Sequence, residues 1–130
     1  MNIHDQVCSM EYAKRLKELG VKQDSLFYLF DHTSHHYLFC KEYEQYSKHV
    51  NLNIDDGYSA FTVAELGMIL GKYSDTGIGE DKWVCRYFEP HSDITHHSIA
   101  DTEADARAKM LVFLLENGII KNDRKHNTTA

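Results

Sequence analysis

The segment comprising residues 101–118 most constrains how this chain can fold, because it has every feature of a complete helix. Asp101 or Thr102 can cap its start, and two acid–base pairs four residues apart follow. Its second half carries a wide apolar arc, and Gly118 can end the helix. The two pairs are Glu103 with Arg107 and Asp105 with Lys109. We therefore predict a closing helix that covers a sheet.

The size and composition of the chain indicate a single soluble domain. It has 130 residues, of which 42% are hydrophobic and 26% are charged. A chain of this size can bury a core without disulfides or metals. We predict one α+β domain over residues 1–120 and a disordered polar tail over residues 121–130.

Several features predict a location in a cytoplasm and away from membranes. The first residues lack the basic and apolar regions of a signal peptide, and the longest apolar run, residues 110–115, is too short to span a bilayer. Cys8, Cys40 and Cys85 form an odd, dispersed set, which is typical of reduced thiols. We expect a cytoplasmic protein that does not bind membranes.

The charge of the chain disfavours direct binding to nucleic acid. Its formal net charge is −6, and binding to phosphates requires clustered lysine and arginine side chains. Two short basic clusters are present, and both are mixed with acidic or polar residues. They are Lys14, Arg15 and Lys17 in the first helix and Lys121, Arg124 and Lys125 in the tail.

Hydrophobic periodicity predicts the order α-β-β-α-β-β-α. The helices are expected near residues 9–19, 62–70 and 101–118, and the hairpins over residues 25–40 and 82–99. Residues 41–57 are assigned to a long loop and Gly77-Ile-Gly79 to a turn. Residues 25–30 lack polar alternation, which indicates burial on both faces. We predict a four-stranded, mainly antiparallel sheet packed by three helices, with an α-β-α sandwich favoured.

Histidines near the two hairpin turns are candidate metal ligands, because imidazole and thiolate groups bind zinc, nickel and copper. Their spacing matches no zinc signature, and polar residues collect at turns in any case, so no metal ligand is assigned. Asp31 or Asp93 could add a carboxylate if the turns converge. The candidate set is His32, His35, His36, His91, His96 and His97, with Cys40 and Cys85.

The other candidate reactive groups do not form a catalytic constellation. Cys40 or Cys85 could act as a nucleophile with a histidine base, but both lie in apolar strand patterns typical of small buried residues. The adjacent acids Asp55-Asp56 and Glu80-Asp81 are typical of turns. Gly77-Ile-Gly79 lacks the following helix of a phosphate loop. We predict no catalytic residue, no cofactor and no enzymatic activity.

Tyrosines outside the predicted regular elements are candidate anchors for a protein partner, because aromatic side chains often dominate interface energies. They could equally cover the edge of the core. These residues are Tyr43, Tyr46, Tyr58 and Tyr73.

Three segments of the chain resemble a group of small phage and prophage proteins of unassigned function. They are residues 8–28, which begin Cys-Ser-Met-Glu-Tyr; residues 58–67, Tyr-Ser-Ala-Phe-Thr-Val-Ala-Glu-Leu-Gly; and the closing helix, residues 101–118. The resemblance implies a phage or prophage origin in a bacterial host. It supplies no catalytic residues, and the histidine clusters lie outside the three segments.

The sequence thus leads to three functional hypotheses. The first is a non-enzymatic phage accessory protein that binds a host protein, a phage protein or a second copy of itself. The second is a zinc- or nickel-binding protein, or a metal-dependent hydrolase, that uses the histidine-rich turns. The third is an acidic mimic of nucleic acid that blocks a host defence enzyme.

Overall fold

The computed structural model describes residues 2–32, 35–40 and 56–121. Within these residues the chain forms an α+β fold with three α-helices and six strands, preceded by the short 3-10 helix Ile3–Asp5. In chain order the elements are α1 (Met10–Glu18), β1 (Phe27–His32), β2 (His35–Cys40), β3 (Tyr58–Ser59), α2 (Val63–Leu70), β4 (Ser74–Gly79), β5 (Lys82–Phe88), β6 (Thr95–Ala100) and α3 (Glu103–Glu116).

The strands form two antiparallel three-stranded sheets, so the prediction of one four-stranded sheet is wrong. The first sheet has the order β2-β1-β3 and the second has the order β4-β5-β6. The prediction missed the two-residue strand β3 and the edge strand β4. Gly77-Ile-Gly79, predicted to form a turn, instead completes β4 and pairs with β5. The chain reverses after it, at Glu80, whose φ is 52°.

Strand β1 is central in the first sheet, as its continuous apolar sequence predicts. Tyr28, Leu29 and Phe30 are all buried, and consecutive side chains in a strand point to opposite faces. Leu29 belongs to the main core. Phe30 packs so closely on Gly57 that a Cβ atom there would lie 2.8 Å from the ring. The prediction that this strand is buried on both faces is confirmed.

Helix α3 packs against several of the described elements. It packs against β5 and β6 on one side and contacts α1 and α2 on others. The fully buried residues of the helix are Ala104, Ala106, Ala108, Met110, Leu111 and Leu114. The small alanines near its start allow close approach to the sheet, and the Ser98 hydroxyl there donates to the Ala106 carbonyl at 2.7 Å.

Local sequence signals correctly predict most of the helix starts. Thr62 and Glu65 form the predicted reciprocal capping box at the start of α2. Thr102 caps α3 by accepting a hydrogen bond from the Asp105 amide at 3.1 Å. Ser9 precedes α1 as predicted, but its side chain does not cap the helix.

Long-range contacts replace one of the two predicted pairs in α3. Glu103 and Arg107 form the expected ion pair at 3.3 Å. Asp105 instead accepts a hydrogen bond from the Ser9 amide at 2.7 Å, which joins the start of α3 to the start of α1. Burial raises the pKa of the Asp105 carboxyl group above its ordinary value of 3.8, although hydrogen bonds from Ser9 act in the opposite direction.

Much of the predicted tail and of the predicted long loop falls on residues that are not described. The predicted tail lies outside the described residues except for Lys121, and so do residues 41–55 of the predicted long loop. Among the helices that are described, none has the length and apolar character needed to cross a bilayer.

Candidate binding surface

The second sheet has one face covered by α3 and one face exposed to solvent. Along β5, Cys85 and Tyr87 are buried whereas Arg86 and Phe88 are exposed. This alternation follows from the two-residue period of a strand. We call the exposed side the outer face. Its residues are Asp75, Gly77 and Gly79 of β4, Lys82, Val84, Arg86 and Phe88 of β5, and Thr95, His97 and Ile99 of β6.

An apolar row crosses the outer face. Val84 lies opposite Gly77 on one neighbouring strand and opposite Ile99 on the other. The exposed fraction of Ile99 is 52%, a large value for an isoleucine in a sheet. A Cβ atom added to Gly77 would meet no other atom within 4 Å. The face therefore has a shallow open strip along β4, beside a ridge formed by Val84 and Ile99.

The charged side chains of the outer face are held in ion pairs. Arg86 donates two hydrogen bonds to Asp75, at 2.8 Å from Nε and 2.7 Å from Nη2. The guanidinium group also lies 5.4 Å from the centroid of the Phe88 ring, within the range of a cation–π interaction. Lys82 pairs with Asp101 at the far end of the sheet. The hydrogen bond to Asp75 raises the pKa of Arg86.

This arrangement makes the outer face almost neutral in a protein whose formal net charge is −6. It combines an apolar row, an aromatic ring and an arginine held in a fixed position. Such a surface can bind another apolar or mixed surface by shape and burial.

The histidines of the second hairpin do not converge on one site. His96 and His97 are consecutive in β6, so their rings lie on opposite faces of the sheet. The His96 Nε2 atom is 2.7 Å from Glu89 Oε2, and its ring centroid is 5.2 Å from that of Phe113. His97 lies on the outer face opposite Arg86, and His91 is exposed in the turn with a φ of 64°.

The histidines of the first hairpin lie in the other sheet. His32 pairs with His35 and Asp31 pairs with His36 in the backbone register of β1 and β2. The side chains of these three histidines are outside the described part of the structure. Among the side chains that are described, no group of three or more histidine, cysteine or acidic residues could hold a metal ion.

The buried cysteines are poor nucleophiles in this environment. Burial raises the pKa of Cys85 to about 11 and that of Cys8 to about 12. Both thiols are therefore protonated at neutral pH, whereas a thiol nucleophile needs a lowered pKa. Cys40 pairs with Phe27 across the first sheet and is partly exposed.

The acidic residues considered as candidate catalytic or metal-binding groups are spread over the molecule. Glu80 and Asp81 form the reversal between β4 and β5, and Asp93 lies in the exposed turn before β6. Asp56 immediately precedes Gly57, whereas Asp55 is not described. None of these described acids lies on the outer face.

The two described tyrosines that were candidate anchors for a partner lie in different parts of the structure. Tyr58 lies in β3, where the ammonium groups of Lys14 and Lys17 are 5.7 and 5.0 Å from its ring centroid. Tyr73 is partly exposed just before β4. Tyr43 and Tyr46 are outside the described residues.

The basic cluster of α1 is largely engaged with acidic groups. Lys14 pairs with Asp31 at 2.8 Å, and Arg15 pairs with Glu116 at 2.9 Å and Glu18 at 3.1 Å. These pairs reduce the positive charge that the cluster could offer to phosphate groups.

Sequence reasoning missed the outer face as a surface. The exposed side of β5 was visible in the alternation of Trp83, Cys85 and Tyr87 with Arg86. The sequence did not indicate strand β4, because two glycines near a chain reversal are typical of a turn. The relevant signal was the spacing of two residues between Gly77 and Gly79, which places both glycines on one face of a strand.

Comparison of the chain with protein-family models, with curated proteins and with solved structures found no match.

Proposed function

We propose that this chain is a non-enzymatic accessory protein of phage or prophage origin that binds a protein partner through the outer face of its second sheet. The apolar row of half-buried Val84 and exposed Ile99, beside the glycine strip of β4, is the observation that carries the proposal. The phage origin comes from the sequence resemblance described above.

The composition of the outer face fits a protein partner. Arginine and aromatic side chains are frequent among residues that dominate binding energy, and Arg86 with Phe88 supplies both. Arg86 is already held by Asp75, so little side-chain entropy is lost when a partner covers it. Apolar contact with Val84 of the central strand, and with Ile99 beside it, then provides burial on the face.

The size of the face limits the strength of binding. Three strands about 4.8 Å apart and about seven residues long cover roughly 300 Å². Stable interfaces bury about 800 Å² on each partner. A single outer face therefore suits a transient partner, or a partner that contacts further surfaces as well.

Site-specific photo-crosslinking tests this proposal even though the partner is unidentified. A photoreactive amino acid is placed at Ile99 and, as the control, at Met68, which is 85% exposed on α2. Both proteins are expressed in the bacterium that carries the gene, with and without phage induction. We expect a discrete crosslinked protein from position 99 that is absent from position 68.

Two further results decide the outcome. The crosslink at position 99 should disappear when Val84 is replaced by lysine, because the charge disrupts the apolar row. Equal crosslinking at both positions, or none at position 99 under any condition, would contradict the proposal.

A further inference from the structure

The two edges of the second sheet are protected to different degrees. At the β6 edge, the Lys109 ammonium group donates to the carbonyl oxygen of Ile99 at 3.2 Å. An edge lysine is a common device against pairing with another strand. At the β4 edge, no described strand pairs with the outer side, and Ile78 is 66% exposed. Within the described part of the chain, the β4 edge is thus the accessible one.

The hydrogen-bond pattern identifies the backbone groups that β4 presents at this edge. The Phe88 amide donates to the Tyr73 carbonyl, so Tyr73 and Phe88 form a hydrogen-bonded pair. Hydrogen-bonded and non-hydrogen-bonded pairs alternate along an antiparallel ladder. The N–H and C=O groups of Ser74, Thr76 and Ile78 therefore point away from β5, toward the open edge. The Ser74 amide is already used by the Gly71 carbonyl at 3.3 Å. Thr76 and Ile78 remain as the two residues of β4 whose backbone groups face the open edge.

We propose that β4 pairs antiparallel with β4 of a second copy of this chain, about a two-fold axis at Gly77. In this register Thr76 of each copy lies opposite Ile78 of the other, and their outward groups form four hydrogen bonds. The two Gly77 residues face each other without side chains to collide. The second sheet of one copy and the second sheet of the other then become one continuous sheet of six strands.

Electrostatics permit this self-association despite the net charge of −6. Asp75 is the only charged residue in β4, and it is held by Arg86 of its own chain. In the proposed register Asp75 lies opposite Gly79 of the second copy, so no like charges face each other. The edge is therefore a place where two acidic molecules can meet with little repulsion.

A second copy fits this edge better than a flexible peptide. Strand β4 is already extended and anchored, because Thr76 donates to Glu103 at 2.5 Å and accepts from Arg107 at 3.2 Å. Two preformed strands lose little conformational entropy on pairing, whereas a flexible peptide must be ordered first. The isologous arrangement also uses the same groups on both sides, as a two-fold interface requires.

The dimer goes beyond the proposed function and does not depend on it. If both hold, the dimer joins two outer faces into one surface of roughly 600 Å², closer to the size of a standard interface. Failure of the crosslink from position 99 would remove the proposed partner and leave the dimer intact. Failure of self-association would leave the partner site on each single chain.

Sedimentation velocity over a wide concentration series tests the dimer with matched variants. Ile78→Lys places a charge at the β4 edge, and Ile94→Lys makes the same change at an isoleucine that is 53% exposed before β6. We expect the wild-type protein to form dimers, Ile78→Lys to raise the dimer Kd about tenfold or more, and Ile94→Lys to have no effect. Circular dichroism confirms that each variant is folded.

A disulfide test checks the register directly. The introduced thiols of Gly77→Cys would lie across the axis at a separation that a disulfide can bridge, and a Cβ atom fits there without collision. Under mild oxidation we expect rapid covalent dimers for Gly77→Cys, and none for Ile94→Cys or the wild type with its native cysteines. A wild type that stays monomeric, equal weakening by the two lysine variants, or equal crosslinking at both positions would overturn the proposal.

Discussion

The two sheets of this protein have the same number of strands but differ in how they are covered. In the first sheet, three consecutive residues of β1 are buried: Tyr28, Leu29 and Phe30. In the second sheet, burial alternates along β5, with α3 on one side and solvent on the other. The two strand sequences predict this difference, because β1 begins with a continuous apolar run whereas β5 carries Arg86 between Cys85 and Tyr87. Among the described residues, β5 of the second sheet thus has one face open to solvent, whereas β1 of the first sheet is buried on both faces.

This comparison also separates stability from function. Residues on either face of β1 are buried, so changes there should destabilise the protein. Residues on the outer face of the second sheet pack against few neighbours, so changes there should leave the fold intact. The proposed binding surface can therefore be altered without loss of the folded state.

The largest effects are expected in β1, where substitution on either face should destabilise the protein. Leu29→Ala removes a buried side chain from the main core and should lower the free energy of unfolding by about 2–5 kcal/mol. Phe30→Ala removes the ring that packs on Gly57 and should lower it by about 3–5 kcal/mol. Urea denaturation measures both. A loss below about 1 kcal/mol for either variant would show that one face of β1 is not part of the core.

A smaller effect is expected at the start of α3, the helix that covers the inner face of the second sheet. Thr102→Ala removes the hydroxyl that accepts from the Asp105 amide, and it should cost about 1 kcal/mol. Thr95→Ala makes the same chemical change on the outer face and should cost less than about 0.5 kcal/mol. Thermal or urea unfolding compares the two variants. Equal losses would contradict a stabilising cap at Thr102.

The smallest effect should appear as a pH dependence at the contact between α3 and α1. The pKa of Asp105 is raised above 3.8 by burial, so its contribution to stability is fully present below pH 3.8. That contribution is lost as the pH rises through the raised pKa of the folded protein. In Asp105→Asn it is absent at every pH.

Urea unfolding of both proteins over a pH series gives the difference between their free energies of unfolding. The free energy of unfolding of the wild type minus that of the variant should fall as the pH rises from 3.8 through the raised pKa of Asp105. At higher pH this difference should stay constant. A difference that is constant throughout, or that rises, would show that Asp105 is not held in a desolvated site.

Local signals in the sequence predict much of the fold. The capping box of Thr62 and Glu65 and the cap at Thr102 depend on residues three positions apart, so they can be read directly. The continuous apolar run of β1 likewise predicts its central place in a sheet. These features are set by short-range chemistry and by hydrophobic pattern.

The missed features depend on partners distant in sequence. Gly77 and Gly79 disfavour a strand locally, and only their pairing with β5 makes β4 extended. Asp105 has a candidate partner four residues away, yet it bonds the Ser9 amide 96 residues away. The adjacent residues His96 and His97 suggest a cluster, but the strand that carries them separates their rings. The outer face was therefore only partly visible from the sequence.

The most direct test of the two-faced second sheet compares Tyr87→Ala with Phe88→Ala, two neighbouring aromatic residues of β5. Tyr87 is 5% exposed on the α3 side, and Phe88 is 39% exposed on the outer face. In urea unfolding we predict a loss of about 3 kcal/mol or more for Tyr87→Ala and of less than about 1 kcal/mol for Phe88→Ala. Similar losses for both variants would contradict an open outer face.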